Sequence, residues 1–166
     1  MGLRHLRPLR NDEPVTTPTV DFLARIRVEV GEPIDLGAAP SGHRRLVPVL
    51  GGTFTGPRLR GRVIPGGADD QRLVSATLTE LDARYALETD GGARIGVHNV
   101  GIRVGSAADI DAIIRGETVP PERIYFRTQP RFSTADADLG WLNERLFVAR
   151  GIRTPEAVEL EVYEVT

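Results

Sequence analysis

The chain has 166 residues and a formal net charge of −2, and 40% of its residues are hydrophobic. This length and composition are typical of one globular domain, and the near-neutral charge gives no general attraction to nucleic acid or to an anionic membrane. Cysteine and lysine are both missing, which excludes disulfides, thiolate metal sites, a cysteine nucleophile, Schiff-base chemistry and a P-loop lysine.

The N-terminal segment, residues 1–20, is expected to be a flexible tail. Several arginines precede its first acidic residue, but prolines interrupt it and no apolar segment follows, so it lacks the pattern of an export signal. No run approaches 18 apolar residues, and no membrane-spanning helix is therefore predicted. The absence of cysteine is compatible with a reducing compartment, and we expect a cytoplasmic protein.

Alternating apolar and polar residues predict β-strands along most of the remaining chain. The clearest alternation is found in residues 21–30, 77–88 and 157–165. Weaker runs predict further strands at 44–50, 58–64, 94–100, 123–128 and 145–149, with a short one at 73–75. Segments rich in glycine, proline and aspartate, which are typical of turns, separate the runs at 51–52, 65–67 and 90–92.

One segment is predicted to be an α-helix. Ser106 is suited to cap its N-terminus, Asp109 follows three residues later, and Gly116 is placed to end it. A second capping pattern at 133–136 predicts a short helical turn that leads to Trp141.

The predicted elements together favour an all-β fold. About eight or nine strands with one or two short helices are typical of an antiparallel β-barrel or a sharply bent sandwich. Closing the sheet into a barrel removes the exposed strand edges, so we expect a single β-barrel domain over residues 21–166. A barrel of about eight strands is wide enough to hold one small ligand.

Short glycine-containing and aromatic motifs follow one another along the chain: GGTFTG at 51–56, PGGAD at 65–69, LDARY at 81–85, YFRT at 125–128 and WLN at 141–143. Their order resembles that of the DUF3237 family, also catalogued as UPF0311. The resemblance implies a single-domain antiparallel β-barrel, a homodimer and no general activity. The family usually has an aromatic residue where this chain has Asp70, which exchanges an apolar wall for a charge.

Asp69 and Asp70 form an unusual pair of adjacent carboxylates. Near an apolar barrel mouth such a pair suits a general acid or base with a raised pKa, and the alternative is a solvated turn. Adjacent side chains of a strand point to opposite faces, and the resemblance favours Asp69 as the inward one. Tyr85 shares a face with Leu81 and Leu87, so its hydroxyl either has a buried partner or polarises a substrate carbonyl.

His98 is the best candidate for a proton shuttle among the three histidines. Ile95 and Val97 indicate that Asn99, rather than His98, lies on the core face of the strand. His98 is therefore a candidate catalytic residue only if it points inward, and Asn99 is a candidate for substrate binding. The scattered histidines lack the spacing of metal ligands, so no metal site is predicted.

Three further residues are candidates for substrate binding. Arg127 either holds a carboxylate through two parallel hydrogen bonds or pairs with a structural aspartate. Trp141 either covers the barrel end as a lid or fills it as part of the core. Asn143 either donates to an oxyanion or braces a loop.

By exclusion, these patterns favour a cofactor-independent enzyme that performs an acid–base rearrangement on a small, mostly apolar carbonyl compound. The expected reaction is an elimination, a hydration, an isomerisation or a cyclisation. Natural-product biosynthesis is the expected biological role. The alternative is a barrel that binds or carries a small ligand without converting it. The expected partners are a small molecule and a second copy of the chain, with no nucleic acid and no membrane.

Overall fold

The computed structural model describes residues 16–166, which form nine strands, one α-helix and two short 3-10 helices. The strands are β1 Val20–Val30, β2 Ile34–Ala39, β3 Gly42–Thr55, β4 Arg60–Leu73, β5 Leu78–Thr89, β6 Arg94–Val104, β7 Tyr125–Thr134, β8 Phe147–Arg153 and β9 Ala157–Val165. Helix α1 spans Ala107–Ile114, and the 3-10 helices span Pro121–Arg123 and Gly140–Glu144. Most of the predicted N-terminal tail, residues 1–15, lies outside the described residues.

Eight strands close into an antiparallel barrel, which confirms the predicted fold class. The order around the ring is β1-β9-β8-β7-β6-β5-β4-β3, and pairing between β3 and β1 completes it. Strand β2 lies outside the ring and pairs with the first part of β3, from Leu46 to Gly42. The residues of β2 are nearly all exposed and show no alternation, which explains why the apolar pattern did not predict this strand.

Two glycine-rich segments that were predicted to be turns lie inside long strands instead. Gly51 and Gly52 have φ values of 145° and 131° and belong to a bulge of β3, where the pairing register with β4 shifts. A Cβ on Gly52 would lie 1.9 Å from the backbone oxygen of Arg27 in β1. Residues 65–67 form a similar irregularity within β4. These bulges bend the strands so that the ring can close.

Helix α1 covers one end of the barrel, which we call the helical end. The Ser106 hydroxyl accepts a hydrogen bond from the Asp109 backbone N–H at 3.1 Å, as the predicted capping pattern requires. Ile110 and Ile113 of α1 are buried, and Ile114 offers its carbonyl to Arg45 inside the barrel. None of the helices in residues 16–166 is long and apolar enough to cross a membrane.

Apolar side chains fill the opposite end, which we call the core end. Phe132 and Phe147 pack edge to face there, with ring centres 5.0 Å apart. Trp141 packs against Phe147 from the second 3-10 helix. The barrel is therefore solid at the core end, and its chemistry has to lie nearer the helical end.

Candidate functional site

The interior of the barrel carries polar side chains from its middle to the helical end. The buried ones come from strands β3 to β7: Arg45, Gln71, Thr79, Tyr85, Asn99, Arg103 and Thr128. Together with the half-buried Asp69, we call these residues the polar cluster. Burying so many polar groups costs free energy unless they find hydrogen-bond partners, so the cluster is not explained by the stability of the fold.

The strand register sets the spacing within the polar cluster. Ala83 of β5 pairs with Asp69 of β4 on one side and with Asn99 of β6 on the other. In the next row, Gly101 stands directly opposite Thr128. Ala83 leaves room inside the ring where a larger side chain would fill it, whereas the space at Gly101 is taken by Thr128, whose Cγ2 would lie 2.5 Å from a Cβ on the glycine.

A cavity of about 40 Å³ occupies this space. Its polar lining consists of Asp69, Gln71, Tyr85, Asn99, Thr128 and Arg153, and its apolar lining includes Val47, Phe126 and Leu160. A volume of this size holds about three water molecules. The cavity therefore admits the reactive part of a small molecule, with polar groups around it.

Many polar atoms of the cluster have no hydrogen-bond partner. In the described part of the chain, seven buried side-chain N and O atoms lack a partner, and all seven belong to the polar cluster: Arg45 Nε, Thr79 Oγ1, Tyr85 Oη, Asn99 Oδ1, Arg103 Nε and Nη2, and Thr128 Oγ1. An unsatisfied buried group costs about 1–3 kcal/mol. Such a concentration of unpaired donors and acceptors at one place calls for partners from outside the chain, either a ligand or ordered water.

Asp69 has the electrostatic character of a proton-transfer group. Its carboxylate accepts hydrogen bonds from Gln71 Nε2 at 2.8 Å and from the Asp82 backbone N–H at 3.1 Å. Burial raises the pKa of Asp69 above its ordinary value, although these two hydrogen bonds and the nearby Arg103 oppose the rise. The two hydrogen bonds fix the orientation of the carboxyl group toward the cavity.

Tyr85 presents a hydroxyl group to the same cavity. Burial, with a smaller contribution from the charge of Asp69, raises the pKa of Tyr85. The hydroxyl therefore stays protonated at physiological pH and remains a hydrogen-bond donor. Because none of the described residues accepts a hydrogen bond from it, it is available to donate to a ligand.

Two buried arginines of the cluster were not selected from the sequence. Arg45 donates to Gln71 Oε1 at 2.8 Å and to the Ile114 carbonyl at 3.3 Å. Arg103 is 1% exposed, and burial is the main reason that its pKa is lowered to about 10. The predicted strand at 94–100 stopped short of Arg103, although extending its alternation from Asn99 by four residues places Arg103 on the inner face.

Three of the residues predicted from the sequence line the cavity together: Asp69, Tyr85 and Asn99. Asp70, the neighbour of Asp69, points outward, where it accepts a hydrogen bond from Arg44 Nε at 3.2 Å. The opposite orientation of these adjacent carboxylates follows from the two-residue period of a strand.

Two other predicted residues lie on the outer surface of the barrel. His98 is half-buried and contacts Asp82 Oδ1 through Nε2 at 2.8 Å. Arg127 donates to the carbonyl of Phe126 and lies over the ring of Tyr125. Both residues alternate with inward-facing neighbours, which are Asn99 in β6 and Phe126 in β7, so neither side chain reaches the cavity.

Neither Trp141 nor Asn143 lines the cavity, and both belong to the second 3-10 helix at the core end. The guanidinium of Arg58 lies 3.6 Å from the ring centre of Trp141, which packs against the core. The side-chain amide of Asn143 bonds both the N–H and the carbonyl of Thr134, at 2.9 and 3.0 Å. Trp141 is therefore placed as part of the core and not as a lid, and Asn143 as the brace of a loop.

Among the described residues, no group of three or more histidine, aspartate or glutamate side chains is arranged to hold a metal ion. The polar cluster itself is dominated by neutral and cationic side chains, with one carboxylate. Its chemistry therefore suits an organic ligand with polar groups.

Residues 18–165 match DUF3237, described as a protein of unknown function. The chain belongs to the DUF3237 family. It is 41% identical over 151 residues to a UPF0311 protein of Rhodopseudomonas palustris, which covers 90% of this chain and 99% of that protein. A UPF0311 protein of Clostridium acetobutylicum is 38% identical over 142 residues, covering 85% and 90% of the two chains. The resemblance inferred from the motifs is thereby confirmed.

Solved structures of DUF3237 relatives share the barrel. A conserved protein of unknown function from R. palustris has a TM-score of 0.86 at 38% identity, covering 92% of this chain and 100% of that one. A β-barrel-like protein from Acinetobacter baumannii has a TM-score of 0.80 at 34% identity, covering 95% and 100%. An enzyme from Penicillium herquei has a TM-score of 0.68 at 19% identity, covering 93% and 98%, which shows a common fold alone.

Proposed function

We propose that this DUF3237 protein is a cofactor-independent enzyme that performs an acid–base rearrangement of a small carbonyl compound inside the barrel. One observation carries the proposal: Asp69, with a raised pKa, and the unpaired hydroxyl of Tyr85 line the same cavity. Proton transfer at a carbon next to a carbonyl group needs at least a general base and a hydrogen-bond donor to the carbonyl oxygen, and Asp69 and Tyr85 provide these two groups.

The unpaired atoms of the polar cluster suggest how a substrate is held. Its carbonyl oxygen accepts a hydrogen bond from Tyr85, and a hydroxyl or enol group of the substrate donates to Asn99 Oδ1. Thr128 provides a hydroxyl that either donates or accepts. Each of these bonds satisfies a buried atom that has no partner in the part of the chain that the structure describes.

Proton transfer follows from this placement. Asp69 in its ionised form removes a proton from the carbon next to the carbonyl, and the electron pair moves to the carbonyl oxygen. The Tyr85 hydroxyl and the positive charge of Arg103 stabilise the negative charge on that oxygen. In an isomerisation, Asp69 then returns the proton at another position. In an elimination, the electron pair returns from the oxygen, a carbon–carbon double bond forms as the bond to the leaving group breaks, and Asp69 gives the proton to the leaving group. Catalysis of this kind contributes about 10²–10⁴-fold to the rate.

The enzyme in Penicillium herquei shares the fold, which is compatible with catalysis in such a barrel. The alternative, a barrel that binds or carries a small ligand, needs the same unpaired atoms but no proton-transfer group. The raised pKa of Asp69 favours the enzyme. The homodimer and the cytoplasmic location expected from the sequence stay predictions.

Hydrogen–deuterium exchange tests the proposal without knowledge of the natural substrate. The protein is incubated in D₂O with butan-2-one, cyclohexanone and pyruvate, and loss of the proton signals next to the carbonyl is followed by NMR. We expect the wild-type protein to accelerate exchange of at least one compound by about 10²-fold over Asp69→Asn. Equal exchange rates in the two proteins across the whole set would overturn the catalytic proposal and leave a ligand-binding barrel.

A further inference from the structure

Arg103 is a buried cation whose hydrogen-bonding edge is unused. It lies inside the barrel between Thr79 of β5 and Phe126 of β7, its direct neighbours across the strands. Only 1% of Arg103 is exposed, and its Nε and Nη2 atoms have no hydrogen-bond partner. Arg103 is not itself part of the cavity lining, but its guanidinium carbon lies 5.9 Å from the ring centre of Phe126, which lines the cavity beside Asp69 and Tyr85.

The identity of the two unpaired atoms is informative. The N–H bonds of Nε and Nη2 run parallel on one side of a guanidinium group, and their spacing matches the two oxygens of a carboxylate. A single carboxylate would therefore satisfy both atoms and supply the missing negative charge. A carbonyl or a hydroxyl group would satisfy only one of them.

The excess of positive charge around Arg103 also favours binding of an anion. The charge of one carboxylate, Asp69, acts on Arg103, whereas Arg45 and Arg153 add two further positive charges. Arg45 is already bonded to Gln71 and to the Ile114 carbonyl, and Arg153 to backbone carbonyls of its own hairpin. Arg45 keeps one unpaired donor, Nε, whereas Arg103 keeps Nε and Nη2, so Arg103 is the arginine of this group with a parallel pair of buried, unpaired donors.

We propose that the substrate is a small oxo acid, whose carboxylate binds Nε and Nη2 of Arg103 while its carbonyl oxygen meets Tyr85. This inference rests on the proposed function for the role of the carbonyl group. Carboxylate binding was one of the two roles expected of Arg127 from the sequence, but that side chain lies on the outer surface beside Tyr125. Arg103 takes over the same chemistry from inside the barrel.

Arg153 marks the route by which such an anion reaches the cavity. It lines the cavity and also an outer cleft of about 680 Å³ at the helical end. Arg45 lines this cleft as well, next to Ile114 of α1. Two arginines therefore stand between the solvent and the buried edge of Arg103 and attract a negatively charged ligand.

Binding of two matched probes tests the inference separately from catalysis. Pyruvate carries a carboxylate next to its carbonyl, and butane-2,3-dione has the same number of non-hydrogen atoms but no charge. Titrations followed by ¹H–¹⁵N NMR are expected to shift the Nε–H signal of Arg103 with pyruvate and not with the dione. No shift with pyruvate, or the same shift with both probes, would overturn the inference.

Variants complete the test. We expect Arg103→Met to weaken pyruvate binding about tenfold or more, and Arg103→Lys to do so as well because an ammonium group lacks the parallel N–H pair. Arg131→Met, which alters an exposed arginine of β7, should bind pyruvate like the wild type. Unchanged binding by a folded Arg103→Met protein contradicts the inference. Pyruvate that binds through Arg103 but exchanges no protons counts against the proposed function and not against the anion site.

Discussion

Asp69 and Tyr85 reach the same cavity from neighbouring strands, and the charge of Asp69 adds to burial in raising the pKa of Tyr85. Their backbones are held in fixed register, since Asp69 pairs with Ala83, two residues before Tyr85 in β5. The relative position of the two groups is therefore set by the sheet and not by a flexible loop. Such rigid placement favours catalysis by groups that need no rearrangement when the substrate binds.

Removing the Tyr85 hydroxyl separates function from stability. Because the hydroxyl oxygen has no partner within residues 16–166, we expect Tyr85→Phe to be as stable as the wild type or more stable by up to about 1 kcal/mol. The rate of proton exchange should fall about 10²-fold, since the developing negative charge loses a donor. Urea denaturation and the NMR exchange assay measure the two effects, with Tyr125→Phe on the outer surface as the control. A large loss of stability would show that the hydroxyl has a structural partner.

Asp69 gives the stability of the protein a characteristic pH dependence. Its pKa is higher in the folded protein than the ordinary value of 3.8, so between these values the folded state holds more protons than the unfolded state. The free energy of unfolding therefore falls as the pH rises through this window. The contribution of Asp69 is complete below about 3.8 and is lost above the folded pKa.

We expect Asp69→Asn to remove this part of the pH dependence and to abolish proton exchange. Asp70→Asn, which alters the outward neighbour bonded to Arg44, should leave the wild-type profile of exchange against pH intact. Denaturation curves between pH 3 and pH 8 measure how the stability of each variant depends on pH. If Asp70→Asn and Asp69→Asn change the pH dependence of stability and of proton exchange equally, the assignment of the buried carboxyl group is wrong.

Ala83 keeps the space between Asp69 and Asn99 open. Ala83→Leu is expected to fill a cavity of about 40 Å³ and to weaken probe binding at least about tenfold, although no polar group is altered. Ala86→Leu provides the matched control, because three residues further along β5 the side chain belongs to the opposite face. Calorimetric titration of pyruvate measures both variants. Normal binding by Ala83→Leu would place the ligand elsewhere.

Two glycines distinguish backbone strain from close packing. Gly52 and Gly66 both have positive φ, but a side chain at Gly52 would meet a backbone oxygen of β1, whereas nothing lies within 4 Å of a Cβ on Gly66. We expect Gly66→Ala to cost about 1 kcal/mol and Gly52→Ala at least about 3 kcal/mol. Thermal unfolding gives the comparison, and equal losses would mean that the approach of β1 to β3 is not tight.

Much of the inner surface of the barrel could be predicted from the sequence. Alternation placed Asn99 inside and His98 outside, and the parity of Asp69 and Asp70 allowed only one of them to enter the barrel. The same rule identifies Arg103, but Gly101 interrupts the apolar pattern and the predicted strand ended before it. The prediction for Arg127 rested on the ability of a guanidinium group to bind a carboxylate. Its outward orientation follows instead from the burial of its neighbour Phe126.

Other features could not be predicted from local patterns. Glycine pairs are compatible with a turn or with a bulge, and only the pairing partner of β3 distinguishes the two for Gly52. The unpaired state of the Tyr85 hydroxyl depends on residues far apart in the chain. Such relationships arise from closure of the ring, which no single segment encodes.

The closing strand β1 pairs with β9, and Thr19 exchanges backbone hydrogen bonds with Thr166, 147 positions away. During synthesis the first strand therefore waits for the last one to leave the ribosome. Contacts of such long range make folding slow, on the order of milliseconds to seconds. Until β9 arrives, β1 and β8 present open edges that other chains are able to pair with, so aggregation competes most strongly with folding in chains that are still incomplete.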